Sequence, residues 1–225
     1  MTTELTRGLR KRLRELHDPV LVSRRLAFTL PNRARVPEVV RLMTDPTIAR
    51  WTLMIPFPYR GADARAWIRR APTRRRAGTD LSLHVVRRAD GALVGGVGLH
   101  HLDAVHARGE LGYWIGRPFR RQGYAREAAR AVTAFGFRQL GLHRVEARVF
   151  PGNTASAGVL RASGFRREAR LRESIVKQGR FVNEVVFAKL SARRTPVRFA
   201  PPASGAPLRT ARRRRRSRPT VRKAR

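Results

Sequence analysis

The stretch ELGYWIGRPFRRQGYAREAARAV at residues 110–132, completed by PGNTASAGVLRASGF at residues 151–165, decides how the rest of the chain is read. Residues 110–115 alternate and are aromatic, which predicts a strand, and Arg117, Arg120, Arg121, Gln122 and Gly123 then stand in front of a helical pattern. A helix start leaves backbone N–H groups without partners and carries the positive end of the aligned peptide dipoles, so a phosphate sits well there. Gly123 lacks a Cβ and lets backbone approach a diphosphate, while Arg120 and Arg121 add charge-assisted donors. By itself, Arg120-x-x-Gly123-x-Ala125 is a weak signal, and an arginine-rich turn capping an ordinary surface helix is the commoner source of such a pattern.

After Gly123, Ala125, Ala128 or Ala129, Val132, Phe135 and Leu140 recur every three or four residues and predict a helix lying on a sheet. Residues 143–150 read as a strand, 154–162 as a helix, and 165–171 with 180–190 as a strand pair turning near Gln178-Gly179. Upstream, 81–88 and 93–102 form a hairpin through Ala89-Asp90-Gly91, and 107–115 completes an antiparallel meander. Residues 21–30 read as a first strand, and 36–43 as a helix stopped by Asp45-Pro46. Residues 51–59 are an aromatic and proline-rich loop that either lines a cleft or folds over the core. Residues 61–71 follow as a short helix and 74–78 as an exposed basic loop. The pattern is an α/β (α+β) layer fold: a mixed sheet with helices on its faces.

The chain of 225 residues is long enough for one domain with a full core. It has no cysteine, which excludes disulfides, thiolate metal sites and any acyl-cysteine intermediate. Of its 50 basic residues 46 are arginine, and the net charge is +35; this reflects either an anionic partner or a genome rich in arginine codons. No apolar run approaches the ~20 residues that span a bilayer, and no signal peptide is seen, so a cytoplasmic location is expected. Residues 1–19 form a basic amphipathic extension, with Leu5, Leu9, Leu13 and Leu16 on one face, that either docks on a membrane or partner or packs on its own domain. Residues 20–190 are the folded domain. Residues 191–225, with 12 Arg, one Lys and no acid, form a disordered basic tail, either an RNA or ribosome tether or a functionless extension.

The run Gly109-Glu110-Leu111-Gly112-Tyr113-Trp114-Ile115-Gly116, the loop at 120–125, His143-Arg144-Val145-Glu146-Ala147, Asn153-x-x-Ser156 and Ser163-Gly164-Phe165 together resemble the GNAT N-acetyltransferase superfamily. More narrowly they resemble its ribosomal-protein serine/alanine N-terminal acetyltransferase branch, over residues 21–190. The resemblance implies a mostly antiparallel sheet of six to seven strands, splayed between 107–115 and 143–150, with acetyl-CoA in the resulting V. It implies that Trp114 and Ile115 hold the pantetheine arm, that Arg120, Arg121, Gln122, Gly123, Tyr124 and Ala125 cradle the pyrophosphate, and that Asn153 anchors the arm from the far side. It implies direct attack of an amine on the thioester, in keeping with the missing cysteine, and no metal.

Three chemical needs follow: a proton acceptor, a donor to the developing oxyanion, and a proton for the departing thiolate. Glu110 is the candidate base, or else a strand glutamate paired with an arginine, and the Ile115 N–H the oxyanion donor. The tyrosine that many members carry seven residues after the asparagine is Leu160 here, so Ser156 or water supplies the proton. Asn153, Thr154 or Ser156 could instead simply cap the helix. Trp51 and Tyr59, with the Lys177-Gln178-Gly179-Arg180 hairpin, are the candidate acceptor pocket. His100, His101 and His106 lack metal-ligand spacing. The expected partners are acetyl-CoA and an amine: a ribosomal or other protein N-terminus, or alternatively a small molecule or antibiotic. A non-catalytic acyl-CoA-binding or RNA-associated protein is the other class, and monomer and dimer both remain open.

Overall fold

A computed structural model describes residues 2–192. The elements in order are α1 (Thr2–Arg14), β1 (Leu21–Val22), β2 (Leu26–Thr29), α2 (Val36–Met43), α3 (Pro46–Trp51), α4 (Gly61–Ala77), β3 (Leu81–Arg87), β4 (Leu93–Asp103), β5 (Arg108–Ile115), α5 (Tyr124–Arg138), β6 (Arg144–Val149), α6 (Thr154–Ala162), β7 (Arg166–Lys177) and β8 (Arg180–Leu190). The strands form one mixed, mostly antiparallel sheet in the order β1-β2-β3-β4-β5-β6-β8-β7, with β5 and β6 its parallel pair. The layered α+β class read from the sequence is the fold observed.

Three local differences have clear causes. The sheet has eight strands rather than six or seven, because residues 21–30 fold into a small antiparallel pair, Leu21 opposite Phe28, closed by Ser23 N–H on Leu26 O. Asp45-Pro46 starts a helix as well as stopping one: Asp45 accepts from Thr47 N–H as the cap of α3, and Pro46 occupies the first turn, where its missing N–H costs nothing. The basic segment at 74–78 is helical up to Gly78, since arginine is a good helix former and α4 continues past Pro72 until Gly78 turns left-handed, at φ 82°.

The sheet buries both faces. On one lie Leu83, Val85, Val97, Leu99 and Leu111 against Ala128, Ala129 and Val132 of α5 and Leu160 of α6, with Leu9 and Leu13 of α1 joining the same core. On the other, Val39, Leu42 and Met43 of α2 meet Ile48, Ala64 and Leu93. The glycines of β4 make room for the second layer: a Cβ at Gly96 would lie 2.5 Å from the indole nitrogen of Trp114. No helix among the described residues is long and apolar enough to cross a membrane. Apart from its first two residues, the predicted basic tail at 191–225 lies outside the described residues.

Candidate active site

Strands β5 and β6 pair only through Arg108 with Arg144, Gly109 with Val145 and Glu110 with Glu146. Beyond that register residues 111–115 and 147–149 have no partner on the facing side, so the sheet opens into a wedge with Glu110 at its apex. Unpaired strand edges of this kind offer backbone donors and acceptors to an extended ligand.

At the mouth of the wedge the loop before α5 takes two left-handed residues, Arg121 (φ 59°) and Gly123 (φ 79°). The N–H groups of residues 121–126 find no backbone carbonyl among the described residues, and α5 adds the positive end of its dipole. A Cβ at Gly123 would lie 3.3 Å from the Arg25 guanidinium, which stacks 4.6 Å over the Tyr124 ring and binds Glu127 at 2.7 Å. What this loop offers an anion is therefore backbone N–H groups. Arg121 is exposed, but Arg120 turns away: its Nε donates to Ile115 O at 3.0 Å and its fork reaches Thr47 Oγ1 at 2.9 Å and Asp45 at 2.8 Å. Burial pushes the Asp45 carboxyl up, but the Thr47 hydrogen bonds and the charges of Arg120 and Arg117 outweigh it and hold the group below its usual range. Gln122 donates to Pro118 O at 3.0 Å, and Ala125 is half-buried in the first turn. Trp114 has its backbone on the wedge and its ring packed against the α2-side core.

Glu110 is the strand glutamate paired with an arginine: Arg148 Nε is 3.4 Å from its carboxylate and His101 Nδ1 3.5 Å away, with 29% of the side chain exposed. Arg148 also reaches Glu146 at 3.7 Å and Glu184 at 3.3 Å, and Ser174 Oγ donates to Glu184 at 2.9 Å. In a chain of net charge +35, Glu110, Glu146, Glu168 and Glu184 thus gather around Arg144 and Arg148 beside the apex. Sequence spacing gave no sign of Glu184, because β8 reaches β6 only through the final hairpin.

On the far wall Asn153 Oδ1 accepts from Ser156 N–H at 3.1 Å, so its carbonyl caps α6. The Ser156 hydroxyl lies 2.9 Å from the hydroxyl of Tyr113, which also reaches Ser156 O at 3.2 Å. Burial pushes the Tyr113 phenol up to about 12, with the Ser156 hydrogen bond opposing, so it remains protonated at neutral pH. Tyr113 was missed, although strand alternation from Glu110 already puts it on the opposite face, where α6 packs. Leu160, at the position where a tyrosine is common, is fully buried in the core.

The opposite end is closed by contact between the two halves. Lys177, at the tip of the β7–β8 hairpin, donates to Ala49 O (2.8 Å), Arg50 O (2.6 Å) and Thr52 O (2.7 Å) at the end of α3 and lies 4.7 Å over the Phe150 ring. Trp51 reaches the loop before α6, where a Cβ on Gly152 would be 3.5 Å from its ring. Tyr59 packs on the α2-side core, its phenol pushed up to about 12 by burial and the Asp63 charge against the pull of Arg70. Exposed Leu53, Met54 and Phe57 follow α3, and Val176 and Phe181 flank the hairpin tip. The three histidines serve carboxylates: His100 binds Asp80 at 3.0 Å, His106 binds Asp103 at 2.6 Å, and His101 faces Glu110.

Residues 25–166 match the acetyltransferase (GNAT) domain family. The chain is 29% identical over 147 residues to p20 of Bacillus licheniformis, an uncharacterized N-acetyltransferase, covering 65% of this chain and 82% of that one. It is 34% identical over 101 residues to YdaF of Bacillus subtilis, which carries the provisional name ribosomal N-acetyltransferase, covering 45% and 55%. Among solved structures, the ribosomal L7/L12 α-N-protein acetyltransferase RimL in complex with coenzyme A superposes with a TM-score of 0.69 at 16% identity, covering 76% of this chain and 96% of RimL, a likeness of fold.

Proposed function

The chain belongs to the GNAT acetyltransferase family and is an N-acetyltransferase, and we propose that it moves the acetyl group of acetyl-CoA directly onto a protein N-terminal α-amine, with ribosomal proteins as the acceptor class. The observation that carries the reading is the wedge between β5 and β6, with unpartnered N–H groups at its mouth and carboxylates at its apex. Acetyl-CoA fits this arrangement: the backbone cradle at residues 121–126, with no Cβ on Gly123 and with Arg121 exposed, suits a diphosphate, and the free edges of β5 and β6 suit the amides of a pantetheine arm. When bound, it supplies an activated acyl group as a thioester.

The residues of the chain then do four things. The mouth loop fixes the anionic end, so that the acyl group lies deep in the wedge. The Ile115 N–H donates toward the thioester oxygen as charge develops there. Glu110 accepts the proton of the amine, and Glu146 and Glu184 draw the cationic acceptor toward the apex within a protein of the same sign as that acceptor. Ser156, oriented by Tyr113, relays a proton to the departing sulfur, taking one back in the same step from the Tyr113 hydroxyl or from water. Without a cysteine there is no acyl-cysteine relay, and both substrates bind together. An α-amine with a pKa near 8 is already ~10% neutral at pH 7, against well under one in a thousand for lysine, so it asks little of its base. The apolar rim of Leu53, Met54, Phe57, Val176 and Phe181 supports a peptide acceptor over a small polar amine.

The test is thioester consumption with purified protein against peptides bearing free α-amines, the same peptides with the amine blocked, and small amines. Turnover confined to free N-termini is expected. Acetyl-CoA binding with no turnover on any amine defeats the enzymatic reading, and faster turnover on small amines defeats the acceptor class.

A further inference from the structure

Helices α1 and α4 hold eleven Arg and Lys against two acids, Glu4 and Asp63, while the other 160 residues of 1–190 hold 26 against 13. The two helices are pinned together, with Arg10 Nε on Ala77 O at 2.9 Å and an Arg75 nitrogen on Leu13 O at 2.6 Å, so their charged surfaces adjoin. Asp63 faces inward along its own helix, accepting from Arg60 N–H at 2.7 Å. Lys11 and Arg74 have carboxylate neighbours, Glu15 at 3.9 Å and Asp80 at 3.6 Å. Arg7, Arg14, Arg65, Arg69, Arg70 and Arg76 have no ion pair among the described residues, and all are exposed.

Along α4, Arg65, Arg69 and Arg76 follow one stripe of the helix, spanning ~16 Å at 1.5 Å per residue, or about five nucleotide steps of ~3.4 Å. At one end of this stripe Arg65 and Arg69 join Arg33 around a cavity of about 420 Å³ whose other walls are Val36 and Pro37. We infer that the α1–α4 face binds the phosphodiester backbone of a nucleic acid without reading its sequence.

Charge and burial select this occupant. A second copy of the chain would bring the same sign to the face, and residues 191–225 of this chain, with thirteen basic residues and no acid, carry that sign too. A membrane needs an apolar stripe to insert, but Leu9 and Leu13 of α1 are 2% and 0% exposed, spent on the core, and only Leu5 remains outside. A protein partner needs aromatic or apolar anchors, and on these two helices Leu5 is again the only exposed large hydrophobic side chain among the described residues. A phosphodiester chain needs only positive charge at intervals along a strand.

The test uses the full chain and three fluorescent probes: a single-stranded RNA, a DNA of the same sequence, and vesicles of phosphatidylcholine with phosphatidylserine. Two variants are compared with the parent, one with Arg65→Gln, Arg69→Gln and Arg76→Gln on α4, the other with Arg166→Gln, Arg170→Gln and Arg172→Gln on β7. Both lose three charges from exposed arginines, so the tail and the net charge are matched. In the α4 variant the slope of log affinity against log salt should shrink by about 2, with binding at least about tenfold weaker, while the β7 variant stays within about twofold of the parent. Loss on RNA or on DNA supports the site and says which strand it takes. Equal losses in the two variants, no loss in the α4 variant, or vesicles bound as tightly as the oligonucleotides would overturn it. Unfolding midpoints of both variants near that of the parent show that charge, not fold, was removed.

Discussion

Ser156 and Tyr113 hold their hydroxyls 2.9 Å apart across the wedge, and a proton-delivery role makes the pair testable one atom at a time. Ser156→Ala is expected to lower kcat about tenfold and Tyr113→Phe several-fold, with the affinity for acetyl-CoA unchanged, since neither hydroxyl belongs to the anion cradle. The double variant should be no slower than Ser156→Ala, because Tyr113 acts through the serine; effects that multiply would show the two act separately. Glu110→Gln removes a base that a largely pre-neutralised α-amine barely needs, so a modest loss on α-amine peptides is expected. Complete loss with acetyl-CoA still bound would make Glu110 indispensable.

The β7–β8 hairpin is fastened to α3 by a single ammonium group. Helix α3 has six residues, too few to persist alone, and its last carbonyls collect the partial negative end of the dipole; Lys177 satisfies three carbonyls there at once. Burial lowers the Lys177 pKa. Lys177→Met should cost about 1–3 kcal/mol in denaturant unfolding. It should also raise the acceptor KM more than it lowers kcat, as the two walls of the acceptor end come apart. Steady-state kinetics that vary both substrates separate this from a cofactor defect, which would move the acetyl-CoA KM instead.

At the scale of the molecule, two buried groups contribute to the acid limb of stability, beside carboxylates such as Asp45 and Glu127 that are also held low. His84 is fully buried on β3, with both ring nitrogens unpartnered and the Trp67 ring 5.4 Å away; burial first, then the Arg35 charge, lowers its pKa to about 4. The unfolded chain takes up this proton near pH 6.5, the folded protein only near 4. Stability is therefore complete above about 6.5 and falls as the pH drops toward 4, by an amount of order 2–3 kcal/mol. For Asp80 burial raises the pKa, but hydrogen bonds from His100 and Thr79 and the charges of His100 and Arg74 prevail and hold it at about 2. Its contribution is intact above about 3.8 and is lost as the pH falls toward 2. Thermal unfolding of His84→Leu across pH 7 to 4 should be nearly flat where the parent declines, and a parallel decline in the variant would rule out His84 as the source.

How much of this was legible in the sequence depends on how local the cause is. Alternation, the three- and four-residue apolar spacing, the Asp-Gly hairpin and Gly123 before a helix are properties of neighbouring residues, and with the ordered motifs they determined the layered fold, the family and the left-handed turn that opens α5. The single strand read at 21–30 failed because nothing in its alternation marks the tight return at Ser23. The duties of individual side chains were decided elsewhere. Arg120 sits in the loop before α5, yet tertiary packing sets Asp45 and Thr47 beside it, and the ion pair takes the guanidinium from the mouth. Tyr113 and Ser156, 43 residues apart, meet only because β5 and α6 face each other across the wedge, and Glu184 reaches Arg148 only because β8 pairs with β6. A strand or a helix start is fixed by short-range sterics and periodicity that any one stretch carries within itself. A hydrogen bond or ion pair forms within about 3–4 Å, and which distant groups come that close is settled only when the sheet has chosen its order.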